Sequence, residues 1–362
     1  MSNPPSAVTK QLFSEWRSPR RGLSNPHPMT NDVWAWLVNS RVCAYTANKQ
    51  FDGPSSFDAG PCWCFDRFGQ SETQLPDGRI LFVGGEHEDY YDPDFYIYND
   101  VVVVTESGDI SVFAYPTDVF PPTDFHSATL VDNYLVIIGN LGYPQNRISG
   151  KTQVLKLELD TMRIAVVDTC GIAPGWIHKH QAHLSSSGTE IQITGGTIDR
   201  CDGTGEIENI DDWSLDIRTW QWSRTLHRQW TRFEVFREDK ARNHLWEIRQ
   251  LHWSRTVGWP DVQEQEEALT KVLGALPDLD LLTTLYAPNI ADEVIGKDTE
   301  RYETYLARVG DVIIRYMEDA FAIHVTIEGE IQQSVIDHLT SDLTQKFGAL
   351  ELVPMTCRIT PP

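Results

Sequence analysis

Three short apolar runs, each closed by a glycine, mark the middle of the chain. They are Ile80-Leu81-Phe82-Val83 before Gly84-Gly85, Leu135-Val136-Ile137-Ile138 before Gly139-Asn140, and Ile191-Gln192-Ile193-Thr194 before Gly195-Gly196. Gly84, Gly139 and Gly195 stand 55 and 56 residues apart. Short apolar runs bounded by turn residues predict strands. A near-constant period of this size predicts one supersecondary unit used several times.

The register extends to either side of the glycines. Upstream lie Gly69-Gln70-Ser71-Glu72-Thr73, Phe125-His126-Ser127-Ala128-Thr129 and Lys179-His180-Gln181-Ala182-His183. Downstream come strands at 101–104, 154–159 and 213–215. Turns follow at Ser107-Gly108-Asp109, Asp160-Thr161 and Asp216-Ile217-Arg218, then a bulky residue at Ile110, Ile164 or Trp220. Gly, Asp and Ser suit such turns because they tolerate unusual dihedrals or bond their own backbone. Each unit therefore predicts about four short strands.

These residues resemble the kelch family of β-propeller repeats. The resemblance rests on Gly84-Gly85, Gly195-Gly196, His126-Ser127-Ala128-Thr129, Asn99-Asp100-Val101 and the Asp216 to Trp220 segment, and it covers roughly 60–225. Asn140 departs from the double-glycine pattern. The resemblance implies a propeller, complete or partial, and a fold that hosts both binding modules and enzymes. A fourth unit would fall near residue 251, where 232–237 and 245–251 read as two strands. They are either an eroded repeat or the start of the next domain.

The flanks have different patterns. Residues 1–30 are rich in Pro, Ser and Arg and read as irregular. Thr30 or Asn31 then caps a helix reaching about Lys49, with Trp34, Leu37, Val38, Val42 and Tyr45 on its apolar face. Beyond residue 260, Val262, Leu269, Val272, Leu273 and Leu276 mark a helix stopped by Pro277. A hairpin is predicted over 312–317 and 321–327, then a helix with Ile331, Val335, Ile336, Leu339, Leu343 and Phe347 on one side and Gly348 as its C-cap. A last strand spans 350–359. The expected organisation is an N-terminal irregular segment and helix (1–59), kelch-like propeller repeats (60–255) and a small α+β domain (256–362). The fold class is mainly β.

Charge narrows the partners. The 362 residues carry a net charge of −22, from 52 acidic against 30 basic side chains. That balance argues against nucleic acid and anionic membrane as partners, both of which need a basic face. It suits a basic protein partner. The start of the chain shows no signal pattern and no run reaches membrane-spanning length, so the expected location is cytoplasmic, with the six cysteines reduced. Cys62-Trp63-Cys64 lacks a second close pair and reads as buried thiols on a strand.

Two clusters have chemical potential. Glu86-His87-Glu88-Asp89, with Asp92 and Asp94, follows the first glycine pair, and closely spaced carboxylates can hold a hard cation. The second cluster is His178, His180 and His183. Imidazoles at 178 and 180 share a strand face and can ligate zinc or iron with a further ligand such as Glu86, His87 or His126. Against this, His126 and His180 occupy equivalent repeat positions, which points to a role in joining repeats. Trp176 is a candidate aromatic contact. Phosphate-binding glycine loops and Gly-x-Ser-x-Gly elbows are missing.

Two functions fit these residues. One is a protein-binding scaffold, an antidote-type binder of a basic protein, whose α+β domain adds specificity or homo-oligomer contacts. The other is a metal-dependent enzyme with its site on the loop face of the propeller. No cofactor is specified by the sequence.

Overall fold

The computed structural model describes residues 4–88, 92–203, 205–298 and 304–360. Strand exceeds helix, 32% against 23%, so the protein is mainly β, built of antiparallel sheets of which none closes on itself among the described residues. It divides into two compact units. One comprises residues up to Asp202 with Ile207–His227; the other comprises Gly203–Glu206 with Arg228–Pro362.

The first unit contains three four-stranded antiparallel meanders. The first joins Ser71–Gln74, Ile80–Val83, Asp100–Val104 and Ile110–Ala114. The second joins Ser127–Val131, Tyr134–Ile138, Val154–Glu158 and Ile164–Val166. The third joins Gln181–Leu184, Glu190–Thr194, Asp212–Asp216 and Gln221–Leu226. His27–Pro28 adds to the outer edge of the first sheet, and Cys170–Gly171 runs parallel to the outer strand of the third.

Side-chain alternation explains how these sheets stack. Successive strand residues point to opposite faces. Leu81, Val83, Val101 and Val103 of the first sheet share one core with Leu135, Ile137, Leu155 and Leu157 of the second. Val136 and Ile138 of the second sheet share another core with Ile191, Ile193, Trp213 and Leu215 of the third. The central strands of the first two sheets are thus buried on both faces, which accounts for their unbroken apolar runs. The third sheet ends the stack. Its outward positions are Glu190, Gln192, Ser214 and Asp216, so its strands alternate apolar and polar. The outer face of the first sheet, Phe82, Val102 and Val112, is covered by N-terminal residues including Phe13, Val33, Trp34, Leu37 and Trp63.

The N-terminal region is more ordered than its composition predicts. Thr9 caps a helix at Lys10–Trp16, and Asn31 caps Asp32–Ser40 by accepting from the Trp34 amide. The single helix expected to Lys49 is in fact two, because Arg41 adopts a left-handed conformation and a new helix runs Ala44–Gln50. The break turns Tyr45 outward, while Trp34, Leu37 and Val38 stay buried. Cys62 and Cys64 are buried as expected, but in an irregular segment rather than a strand.

The second unit is a six-stranded antiparallel sheet with helices. Its order is Glu293–Lys297, Thr304–Val309, Val312–Glu318, Ala322–Glu328, Arg232–Arg237 and Met355–Thr360. Arg232–Arg237 lies between the last two strands of the chain's C-terminal region. It therefore belongs to this sheet, and the boundary falls at 227/228 rather than 255/256. The stretch read as a strand at 245–251 is the start of a helix, Leu245–Val257, whose Leu245, Ile248 and Leu251 enter the core. The Gln333–Glu351 helix runs through Gly348 and ends at Leu352, whose positive φ supplies the left-handed cap expected of the glycine.

Candidate functional site

The glycine-ended edge of the three sheets is where the predicted site residues fall. Its architecture comes from one contact used twice. Gly69, Phe125 and Lys179 hold equivalent positions, all with positive φ. The Phe125 amide donates to the Gly69 carbonyl at 2.8 Å, and the Lys179 amide donates to the Phe125 carbonyl at 2.8 Å. Next in sequence, His126 Nε2 lies 2.8 Å from Ser71 Oγ of the preceding sheet, and His180 Nε2 lies 2.9 Å from Ser127 Oγ. The glycines make room for these seams. A Cβ at Gly84 would sit 2.2 Å from the Thr123 carbonyl oxygen, and one at Gly139 2.5 Å from that of Ile177. The asparagine that replaces a glycine at 140 ties the loop before the second sheet. It accepts from the Asp124 amide and donates to the Pro122 carbonyl.

Burial sets the protonation of the seam histidines. Desolvation lowers the pKa of both His126 and His180 to about 3, with neighbouring histidines adding a smaller push at His180. They are neutral at ordinary pH, which suits a ring nitrogen paired with a hydroxyl.

The predicted metal set is not brought together. His183 points from the outer face of the third sheet and pairs with Gln192 at 2.9 Å. His180 is occupied with Ser127, and His178 is fully buried on the short strand Trp176–His178. Among the described residues, no three His, Cys, Asp or Glu side chains are grouped to hold a metal ion.

The acidic loop is partly ordered by its own bonds. Glu86–His87 pairs with Tyr96–Ile97 as a small hairpin. His87 is buried, and its Nε2 lies 2.8 Å from Glu88 Oε1. Burial lowers the His87 pKa, opposed by Glu88 and Asp94. Asp94 accepts from Ser56 Oγ at 3.1 Å, and the Asp92 carbonyl accepts from the Phe95 amide. Asp89 lies outside the described residues. Trp176 is buried and donates to the Leu141 carbonyl, as a core tryptophan does.

A different group of residues gathers here that the motifs did not indicate. Asp124 is fully buried, with Oδ1 accepting from the Gly142 amide at 2.6 Å. Desolvation raises its pKa, opposed by the Gly142 amide, the Glu86 side chain, His178 and Arg147. Arg147 in turn holds Asp199 at 2.5 Å and donates to the Leu141 and Gly142 carbonyls. Buried Arg67 does a similar job in the first sheet, binding Asp100 with two nitrogens and the Gly84 carbonyl, and stacking on Tyr98. The only sequence signal for Asp124 was its place two residues before His126, matching His178 before His180.

No protein-family model matches the chain, and no curated protein matches it. Among solved structures, the chain is similar at 8% identity to a mannose phosphorylase from Leishmania mexicana, bound to phosphate ion. That match covers 76% of this chain and 70% of the other at a TM-score of 0.28, a likeness too slight to inform function.

Proposed function

We propose that the chain is a protein-binding scaffold for a basic partner, of the antidote type, and that its three meanders are blades of a partial, kelch-like β-propeller. The observation that carries the scaffold reading is the repeated seam. His126 and His180, two of the residues with most chemical potential, are engaged in joining one sheet to the next. The net charge of −22 supports a basic partner, because it speeds encounter with a positive surface and discourages like-charged ones.

A second reading, a metal-dependent enzyme on the glycine-ended edge, would draw on Glu86, His178 and Asp124, which act on one another electrostatically but are not grouped to hold a metal ion. Two measurements separate the readings. Metal analysis of freshly purified protein, repeated on Glu86→Ala and His178→Ala, gives no stoichiometric metal on the scaffold reading. A basic protein that co-purifies, is eluted by moderate salt and rebinds when separately purified supports it. Stoichiometric metal lost in both variants would replace the scaffold with the enzyme.

A further inference from the structure

The Leu245–Val257 helix has two apolar faces. Leu245, Ile248 and Leu251 are buried in the core of the second unit. On the opposite side, at helical spacing, Trp246, Trp253 and Val257 are 54%, 49% and 52% exposed, and Trp259 just beyond the helix is 48% exposed. Trp253 and Trp259 lie with ring centroids 5.6 Å apart. Scattered exposed apolar residues are ordinary, but two tryptophans on one side of a helix with a third just past its end form a patch of the kind that marks an interface.

The surroundings select the occupant. The neighbouring helix, Val262–Leu273, borders a groove whose charged lining is Glu266, Glu267 and Lys271, with Pro260, Val262 and Leu276 among its other residues. Over 245–273 the acidic side chains are Glu247, Asp261, Glu264, Glu266 and Glu267, against Arg249, Arg255 and Lys271. Arg249 is engaged with Glu318, Arg255 with Glu266 and Glu247 with Arg242, which leaves Asp261, Glu264 and Glu267 outside these ion pairs against Lys271. Asp261, Glu264 and Glu267 are exposed. Pro260, next to Trp259, shares this groove with Glu266 and Glu267, and Asp261 follows it, so carboxylates adjoin the Trp259 end of the aromatic patch. A second copy of the chain would bring another −22 charges to it, and an anionic membrane would be repelled in the same way. A Lys/Arg-rich amphipathic helix matches both features. Its apolar side covers the tryptophans, and its cations meet the carboxylates and the indole faces. From Trp246 to Val257 the stripe is roughly 17 Å long at 1.5 Å per residue, enough for about three turns of an opposing helix.

We infer that Trp246, Trp253 and Trp259, with the acidic face of the Val262–Leu273 helix, form the docking surface for a basic amphipathic helix of a partner protein. This rests on the basic-partner reading and specifies where and how that partner binds. The test is a fluorescence titration of the full chain with a synthetic Lys/Leu amphipathic helical peptide, with a Glu/Leu peptide of the same pattern as control. The variants are Trp253→Ser/Trp259→Ser and, so that the test does not depend on one fold-retaining change, Glu264→Lys/Glu267→Lys. The surface predicts binding of the Lys/Leu peptide only, weakening with salt, and at least about tenfold weaker in each variant that keeps wild-type circular dichroism. Salt-sensitive binding that survives both variants overturns the surface while leaving the basic-partner reading intact. No binding by the wild type also overturns the surface. Concentration-dependent self-association lost in the tryptophan variant would assign the patch to a second copy and overturn it too.

Discussion

His126 Nε2 lies 2.8 Å from Ser71 Oγ, across the seam between the first two sheets. The imidazole is buried and its pKa is lowered to about 3, as is that of His180 at the second seam. An unfolded histidine binds its proton near pH 6.5. Between about 3 and 6.5 the unfolded chain therefore holds more protons than the native one, so stability rises with pH across that window and is lost on acidification. Each histidine contributes at most about 1.4 kcal/mol per pH unit there. Denaturant titrations at pH 7.5, 6 and 5 should show a steeper loss in the wild type than in His126→Gln/His180→Gln. Parallel pH profiles would contradict this.

Gly84 and Gly139 are fixed by close approach as well as by positive φ, 57° and 78°. Alanine at either needs the backbone at Thr123 or Ile177 to move, so strain of about 1–3 kcal/mol adds to overpacking of about 1–3 kcal/mol. Gly108 also has positive φ but open space around it, so Gly108→Ala should cost only about 1 kcal/mol. Chemical denaturation of the three variants checks the order.

The Arg67–Asp100 pair is almost entirely buried and doubly bonded. Asp100→Asn leaves a desolvated guanidinium short of its counter-charge and should destabilise the first unit by about 3–5 kcal/mol. Arg67→Met/Asp100→Leu should recover much of that loss. Thermal unfolding of both variants measures the difference.

Cys62 is buried, and burial pushes its thiol up to about 12; Cys64 is also raised by burial. Cys43 and Cys170 are exposed. A thiol-reactive disulfide reagent at pH 8 should label Cys43 and Cys170 quickly, and Cys62 and Cys64 only at the rate of unfolding. Mass spectrometry of the labelled peptides distinguishes these groups.

The local parts of this fold were legible in the sequence. The apolar runs ended at glycine because double-sided burial and close approach of the next sheet both leave marks within a few residues. A cap at Thr30 or Asn31, which the structure places at Asn31, the hairpin around Asp319 and the apolar stripe from Ile336 to Phe347 were readable for the same reason. What depended on distant pairing was hidden. Arg232–Arg237 looks like any strand, and its place is decided by partners near 324 and 358. The 245–251 stretch misled because its helix has outward tryptophans, which blur the helical period. Of the site, the structural use of the repeat histidines followed from their equivalent positions. The Asp124–Arg147–Asp199 group did not, because no local pattern joins residues brought together from separate loops.

The account depends most on one joint being used twice between equivalent sheets. Double-mutant cycles on Ser71/His126 and Ser127/His180, each to Ala, measure it most directly. Coupling of about 0.5–1.5 kcal/mol, similar at both seams, is the predicted result. Additive effects at either seam would contradict it.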